Sequence, residues 1–425
     1  MKKSIITVIK IALLLILFNN NAFSQGAPSM SGKEFWLSFG LNFNQTTNDI
    51  ELQIRIVATK ATEVRFSFTQ NSTCNDVLQL AAGQVYTYEL SNLQEDALYS
   101  NTTGTTDKTL YISSDEDVTV FAINMSANST DATNVLPVNN YGTEYYTISY
   151  GTMMNPGDGY TIIANEAGTI VTNHAGTPIT LNRGQVYSFY DTNLIDLTGK
   201  KITSTKPVAM FTTNSVVRVP QNIVAYDCLF QQLAPVHSWG RTFFVPVANP
   251  TNGFAIKRNR DRIRILASQD GTTVTQTGGT IQSGGQGSLN NLKAGQFVEL
   301  EINIANNGCY ISSNKPVAVT SYLIGGSAFG NPVVGDPAMA WVPPLEQSQT
   351  RSAMAPFFAS SSSVLLDDQH YALIVTPTLT KNETTMSVGG DSPVALSGGI
   401  WRDHLSSGYS FYSMNFPSIY RDSTY

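Results

Sequence analysis

Positive charge is scarce and scattered in this sequence. Charged residues are 13% of the chain, the formal net charge is −6, and no basic stretch is longer than the Lys257–Arg264 segment. A nucleic-acid partner, which needs a clustered basic footprint, is therefore not expected. Cysteine is equally sparse. Cys74, Cys228 and Cys309 allow at most one internal bridge, and their spacing fits no zinc-ligand pattern. Cys228 with Cys309 is the expected pair, because both flank one repeat; buried free thiols are the alternative. Long apolar runs are missing beyond the N-terminus, so no later segment is expected to cross a membrane as a helix. Convincing amphipathic helical stretches are missing too, which excludes the helical fold classes.

At the N-terminus itself, Met1-Lys2-Lys3 precedes an apolar run from Ile5 to Phe18 broken only by short polar residues and Lys10. Ala22-Phe23-Ser24 follows with the small–any–small pattern of a signal peptidase site. Residues 1–24 thus read as a signal peptide cleaved before Gln25, since the run is too short for a membrane anchor. No Cys stands behind the cleavage point to carry a lipid. The mature chain is expected to be soluble and outside the cytoplasm, secreted or at the cell surface.

Asn, Thr, Ser and Gly fill the stretches between apolar runs, as suits strands joined by polar turns. Self-similarity with a period of about one hundred residues organises those runs. Gly83-Gln84-Val85-Tyr86, Gly184-Gln185-Val186-Tyr187 and Gly295-Gln296-Phe297-Val298 each open a strand of alternating apolar residues. Ile112-Ser113-Ser114, Ile202-Thr203-Ser204 and Ile311-Ser312-Ser313 are each followed, at the same distance, by Val118, Val208 or Val317. That constant gap reads as a hairpin with one fixed turn, carrying Lys206-Pro207 and Lys315-Pro316 in two copies. The outgoing strands, such as Val118–Ile123, are apolar on both faces and should be central.

A third segment recurs at Ile54–Ala58, Thr161–Ala164 and Ile263–Ala267, followed by a strand with Val64, Ile170 or Val274. A fourth opens the units at Pro137–Gly142 and Pro235–Gly240, with Gly32–Trp36 a weaker copy and Pro344–Gln347 one that has lost the aromatic residue and the Gly. The fold expected is all-β, tandem antiparallel sandwich-like repeats, with a propeller-like arrangement of the same repeats as the alternative. The boundaries read as repeat 1 at 25–134, repeat 2 at 135–232, repeat 3 at 233–340 and an incomplete repeat 4 at 341–425. Gly408–Tyr412 stands where a late strand should be and nothing after Tyr425 supplies the Ile-Ser-Ser pair, so a truncated, incomplete or divergent last unit is expected.

No catalytic constellation emerges. His174, His237, His370 and His404 are far apart and outside any two-His metal pattern. Gly325–Gly330 has the wrong spacing for a nucleophile elbow. Asp115-Glu116-Asp117 and Asp367-Asp368 lack the alternation of a calcium loop and read as solvated turns. Glu34, Asp270 and Glu346 form no recognisable glycosidase dyad, and the Gly278–Gly287 stretch has no following helix to bind phosphate. No catalytic, metal or cofactor residue is assigned, no cofactor is expected, and the binding residues are left unknown. Trp36, Trp239, Trp341 and Trp401 stand near repeat boundaries, where packing between units is the simplest role.

Asp227, Gln232, Pro235-Val236, Trp239-Gly240, Arg264–Ala267, Asp270–Val274, Gly295-Gln296, Ile311–Val317, Gly335–Met339, Pro343-Pro344 and Glu346-Gln347 form an ordered set. It resembles the N-terminal domain of the IgG Fc-binding protein family, known from animal mucus proteins and bacterial surface proteins; the likeness extends more weakly from Gly32 to Phe416. A secreted bacterial member is the expected identity. The resemblance implies a non-catalytic, extracellular adhesion or recognition module for a glycoprotein, immunoglobulin or glycan, and carries over no contact residue. A stalk or surface-layer segment without a soluble ligand, and a carbohydrate-active enzyme with an unrecognised site, are the alternatives.

Overall fold

The structure, a computed structural model, describes residues 29–43, 50–126, 129–248, 258–329, 335–354, 371–388 and 391–415. Its regular structure among the described residues is nearly all β, with one short α-helix at Asn92–Asp96 and several 3-10 turns. No described helix is long and apolar enough to cross a membrane. The first sheet contains β1 (Ser31–Leu37), β2 (Ile50–Ala58), β3 (Thr62–Phe68), β4 (Asp76–Leu80), β5 (Gln84–Glu89), β7 (Leu110–Ser126) and β8 (Ser129–Val135). Between them β6 (Gly104–Thr106) leaves to pair elsewhere. The order is β4-β3-β7-β2-β5, with β1 and β8 also on β7.

The pivot is β7, and here the sequence reading needs correction. Ile112 and Val118 do not flank a hairpin: one 17-residue strand runs through both. Its first half pairs with β3 and β1, its second with β2 and β8. Between the halves the chain bulges, since Gly32 faces Val118 while Glu34, two residues on, faces Ser113. A constant gap of polar residues looks the same in sequence whether the strand returns or merely changes layer. The clasp is the last residue of Ile-Ser-Ser: Ser114, Ser204 and Ser313 donate to the carbonyls of Glu116, Lys206 and Lys315, each at 2.7 Å. Pro207 and Pro316 sit in the bulge, where no ladder donor is needed. Ser204→Ala should cost about 1 kcal/mol in urea unfolding by losing one such bond. As expected, Val118–Ser126 is buried throughout.

The second sheet repeats the plan with β9 (Gly142–Tyr146), β10 (Asp158–Ala164), β11 (Thr169–Thr172), β12 (Pro178–Leu181), β13 (Val186–Tyr190), β14 (Lys201–Val217) and β15 (Asp227–Gln232), plus β6 on the edge of β13. The third has β16 (Gly240–Val245), β17 (Arg260–Ala267), β18 (Val274–Thr277), β19 (Gly279–Ile281), β20 (Phe297–Asn303), β21 (Cys309–Tyr322) and β22 (Met339–Val342). The long strands β14 and β21 are the counterparts of β7. The last module is smaller: β23 (Tyr371–Pro377), β26 (Ile400–His404) and β27 (Tyr409–Asn415) form a sheet ordered β23-β27-β26, beside a ribbon of β24 (Thr385–Met386) and β25 (Val394–Ala395).

The Gly-Gln motif is a left-handed corner. Gly83, Gly184 and Gly295 have φ of 79°, 82° and 80°, which favours glycine. The Gln side-chain oxygen then accepts the backbone N–H of Ala81, Asn182 or Lys293 at 2.8–2.9 Å, closing each corner.

Successive sheets join through matched contacts. Pro137, Pro235 and Pro344 each start a 3-10 turn, Val138–Asn140, Val236–Ser238 and Leu345–Gln347. Each turn lies on a glycine of the preceding sheet: a Cβ on Gly32, Gly142 or Gly240 would stand 2.5, 2.4 or 2.1 Å from the proline Cβ. The apolar residues Ile163, Val186 and Phe211 pack with Phe35, Phe39 and Tyr99 of the first sheet. Leu266, Phe297 and Ala318 do the same with Tyr145, Ile148 and Tyr150 of the second. The paired strand positions Thr161–Ser188 and Arg264–Glu299 stand at these two joints; Ser188 there meets the Ser100 hydroxyl at 2.7 Å.

Trp36 reaches across the first joint to Asn165 at 2.9 Å, and Trp239 packs near Tyr146 and Trp341 around the second. Trp401 differs from expectation: it packs at a tilt against Tyr412 inside the last module. The expected Cys228–Cys309 bridge is also absent, all three cysteines being free and buried. Cys228 faces the Asn124 carbonyl of the first sheet, whereas Cys309 lies beside Gln276 within the third, so flanking one repeat in sequence does not bring them together.

Candidate interaction surface

The motif residues turn out to be architectural. Asp227 accepts from Ser129, Thr130 N–H and Cys228 N–H at 2.6–2.7 Å, sewing β15 to β8, and burial pushes its carboxyl up to about 7. Gln232 accepts the Leu136 N–H at 2.7 Å across the same seam. Asp270 holds the Ala294 N–H at 2.9 Å, and Glu346 the Arg241 N–H at 3.0 Å. His237 packs on Gly142, His174 bonds Tyr160 at 2.7 Å, and His404 is buried beside Phe244. Asp115 and Glu116 pair with Arg65 and Lys60 in water; His370, Asp367 and Asp368 lie outside the described residues. Glu34 meets the Tyr111 hydroxyl. Among the described residues no three His, Cys, Asp or Glu side chains converge as metal ligands.

What the fold presents instead is a set of braced loops around the second sheet. The Asp191 carboxylate is buried and accepts the N–H groups of Asn193 and Ile195 at 2.7 and 2.9 Å, an Asx-type turn. The turn forces Leu194 to φ 58°, a left-handed conformation that a bulky side chain rarely adopts. Its side chain is 53% exposed, and Ile195 beside it 47%. The preceding loop is tied on by Asn155, whose amide donates to the Thr192 carbonyl at 2.6 Å, and by Met153 N–H to Val216 at 2.9 Å. It exposes Met153 and Met154.

A third loop, between β14 and β15, lays Gln221 against Gly151. Ser327, from the loop after β21, accepts the N–H groups of Val224 and Ala225 at 3.2 and 3.0 Å. Val224 is the most exposed of the set at 73%, and Tyr226 stands out beside Phe43. Six apolar side chains thus stand in water on loops whose backbones are tied to neighbouring loops by hydrogen bonds. Such a surface is what a protein-binding site on a rigid scaffold requires, because little ordering entropy remains to oppose association.

Sequence reasoning missed these residues. The available signal was the pair of apolar doublets, Met153-Met154 and Leu194-Ile195, inside loops otherwise built from Asn, Asp, Gly and Pro.

Two overlapping stretches, residues 28–190 and 131–422, match the profile of the family described as IgGFc binding protein. The chain belongs to the IgG Fc binding protein family. The second match begins about one repeat after the first, as expected when the profile itself spans similar units. The human IgGFc-binding protein is 28% identical over 247 residues, which is 55% of this chain and 4% of the human protein. The chain therefore spans a small part of that relative's length. No solved structure matches.

Proposed function

We propose that this member of the IgG Fc binding protein family is an extracellular, non-catalytic recognition module that holds a protein or glycoprotein partner on the loop surface around Leu194 and Val224. The observation that carries the reading is Leu194, an apolar side chain pushed into solvent by a strained backbone that buried Asp191 enforces. An exposed leucine held in a left-handed backbone conformation supports a role outside the fold. The name of the human relative makes an antibody Fc region the first partner to try. The same reading takes residues 1–24 as a cleaved leader and divides the remainder at 134/135, 232/233 and 340/341.

The test uses immobilised immunoglobulin Fc and, in parallel, capture from serum and mucus by the mature chain. Leu194→Asp and Val224→Asp should each weaken the captured complex about tenfold or more, as expected for central apolar anchors, with unchanged thermal unfolding. Binding that survives both changes would move the site elsewhere. No enrichment of any immunoglobulin or glycoprotein would favour a stalk segment, a role that the close joints between sheets also suit.

A further inference from the structure

The joint between the third sheet and the last module encloses a buried histidine among aromatic rings. Phe244 and Tyr310 of the third sheet meet His404, Tyr409 and Phe411, with ring centroids 5.6–6.4 Å apart. Asn307 donates to the Asp403 carbonyl at 2.9 Å and fixes β26 against the third sheet. His404 is 4% exposed. Its ring bonds the backbone of Thr277, whereas Nδ1 is buried with no hydrogen-bond partner.

We propose that this joint is an acid-sensitive latch: a proton taken up on His404 Nδ1 loosens the module of residues 371–415 from the third sheet. A neutral imidazole leaves one uncharged acceptor unpaired, a smaller penalty than an unpaired charge. An imidazolium there places a charged N–H without an acceptor, which a buried site strongly disfavours. The neighbours offer no rescue. On β26, Asp403 is committed to Lys381 at 2.6 Å and to the Ser410 hydroxyl at 2.8 Å, and Arg402 is itself cationic. Glu383 of the adjoining turn is exposed. The remaining titratable groups on the packed strands are Tyr409 and Tyr412 of β27, Cys309, Tyr310, Lys315 and Tyr322 of β21 and Arg241 of β16, and none is a carboxylate.

The sign follows from linkage. Burial lowers the His404 pKa in the docked state, so the undocked module binds the proton more readily, and docking weakens as pH falls through the ordinary histidine range near about 6.5.

The test is hydrogen exchange of the full chain at pH 7.5 and pH 5.0, corrected for intrinsic rates and read in peptides from residues 400–415. The parent should exchange several-fold faster at the lower pH. His404→Gln and His404→Phe should abolish that response, whereas His174→Gln should keep it. A parent without the response, or a response that persists in both His404 variants, overturns the proposal. Should both variants fail to fold, NMR titration of His404 in the parent decides: a value at or above that of a free histidine also overturns it.

Discussion

Arg264→Met should destabilise the protein by about 3 kcal/mol in urea unfolding, the lower end for a broken buried ion pair because Asp196 keeps a quarter of its side chain in water. The guanidinium plugs the joint between second and third sheets. It is 4% exposed, donates to Asp196 at 2.7 Å, to Glu299 at 3.1 Å, to the Ser149 carbonyl at 2.8 Å and to Thr198 at 2.9 Å, and lies 4.2 Å from the Tyr150 ring centroid and 4.4 Å from that of Phe297. Methionine fills much of the volume but leaves two carboxylates without this cation. Arg262, 3.9 Å from Glu299, compensates only in part.

The pH dependence gives a second readout. Burial pushes the Asp196 carboxyl up, but the Arg264 charge prevails and holds it below the usual range. A depressed carboxylate contributes stability above its unfolded value that is lost as pH falls through the folded one. Without Arg264 only the Thr198 hydrogen bonds still oppose the burial effect, so the variant should lose less stability on acidification from pH 7 to pH 4.5 than the parent does. A variant as stable as the parent at pH 7 would show that the joint does not depend on the charge.

Gly199→Ala should cost about 2–4 kcal/mol by the same measurement. Gly199 has φ 88°, and a Cβ there would stand 1.9 Å from the Gly295 carbonyl oxygen; a Cβ on Gly295 would in turn stand 2.6 Å from the Gly199 oxygen. Backbone is pressed on backbone between two sheets, and neither side can turn away as a flexible side chain would. Gly176→Ala is the internal control, because its φ is 80° with nothing within 4 Å. It should lose only the conformational part, about 1–2 kcal/mol, and the difference isolates the close approach. Equal losses at the two positions would assign the whole effect to backbone conformation.

Strand identity was largely legible, since the alternation behind Gly83, Gly184 and Gly295 and the all-apolar run after Val118 follow directly from which faces leave water. Strand connection was not. Asp115–Asp117 and Lys206-Pro207 have turn composition, and only the partners on either side reveal that β7 and β14 continue through them. Arg264 could be seen as part of a family signature, yet its role depends on Asp196 and Ser149, which lie in loops without periodicity. The exposed surface escaped for a related reason. Leu194 is conspicuous through its backbone angle and the buried Asp191 beneath it, and a sequence shows neither.

The pairing at corresponding strand positions has a consequence for how such chains can be built. At the first joint the inserted pair is Thr161 with Ser188, answered by Ser100; at the second it is Arg264 with Glu299, answered by Asp196. Cutting the units apart and shuffling them would seat a cation against a serine or leave an aspartate facing a hydroxyl. Neighbours are therefore not interchangeable despite their common plan, and each carries in its polar contacts an address for the one that follows.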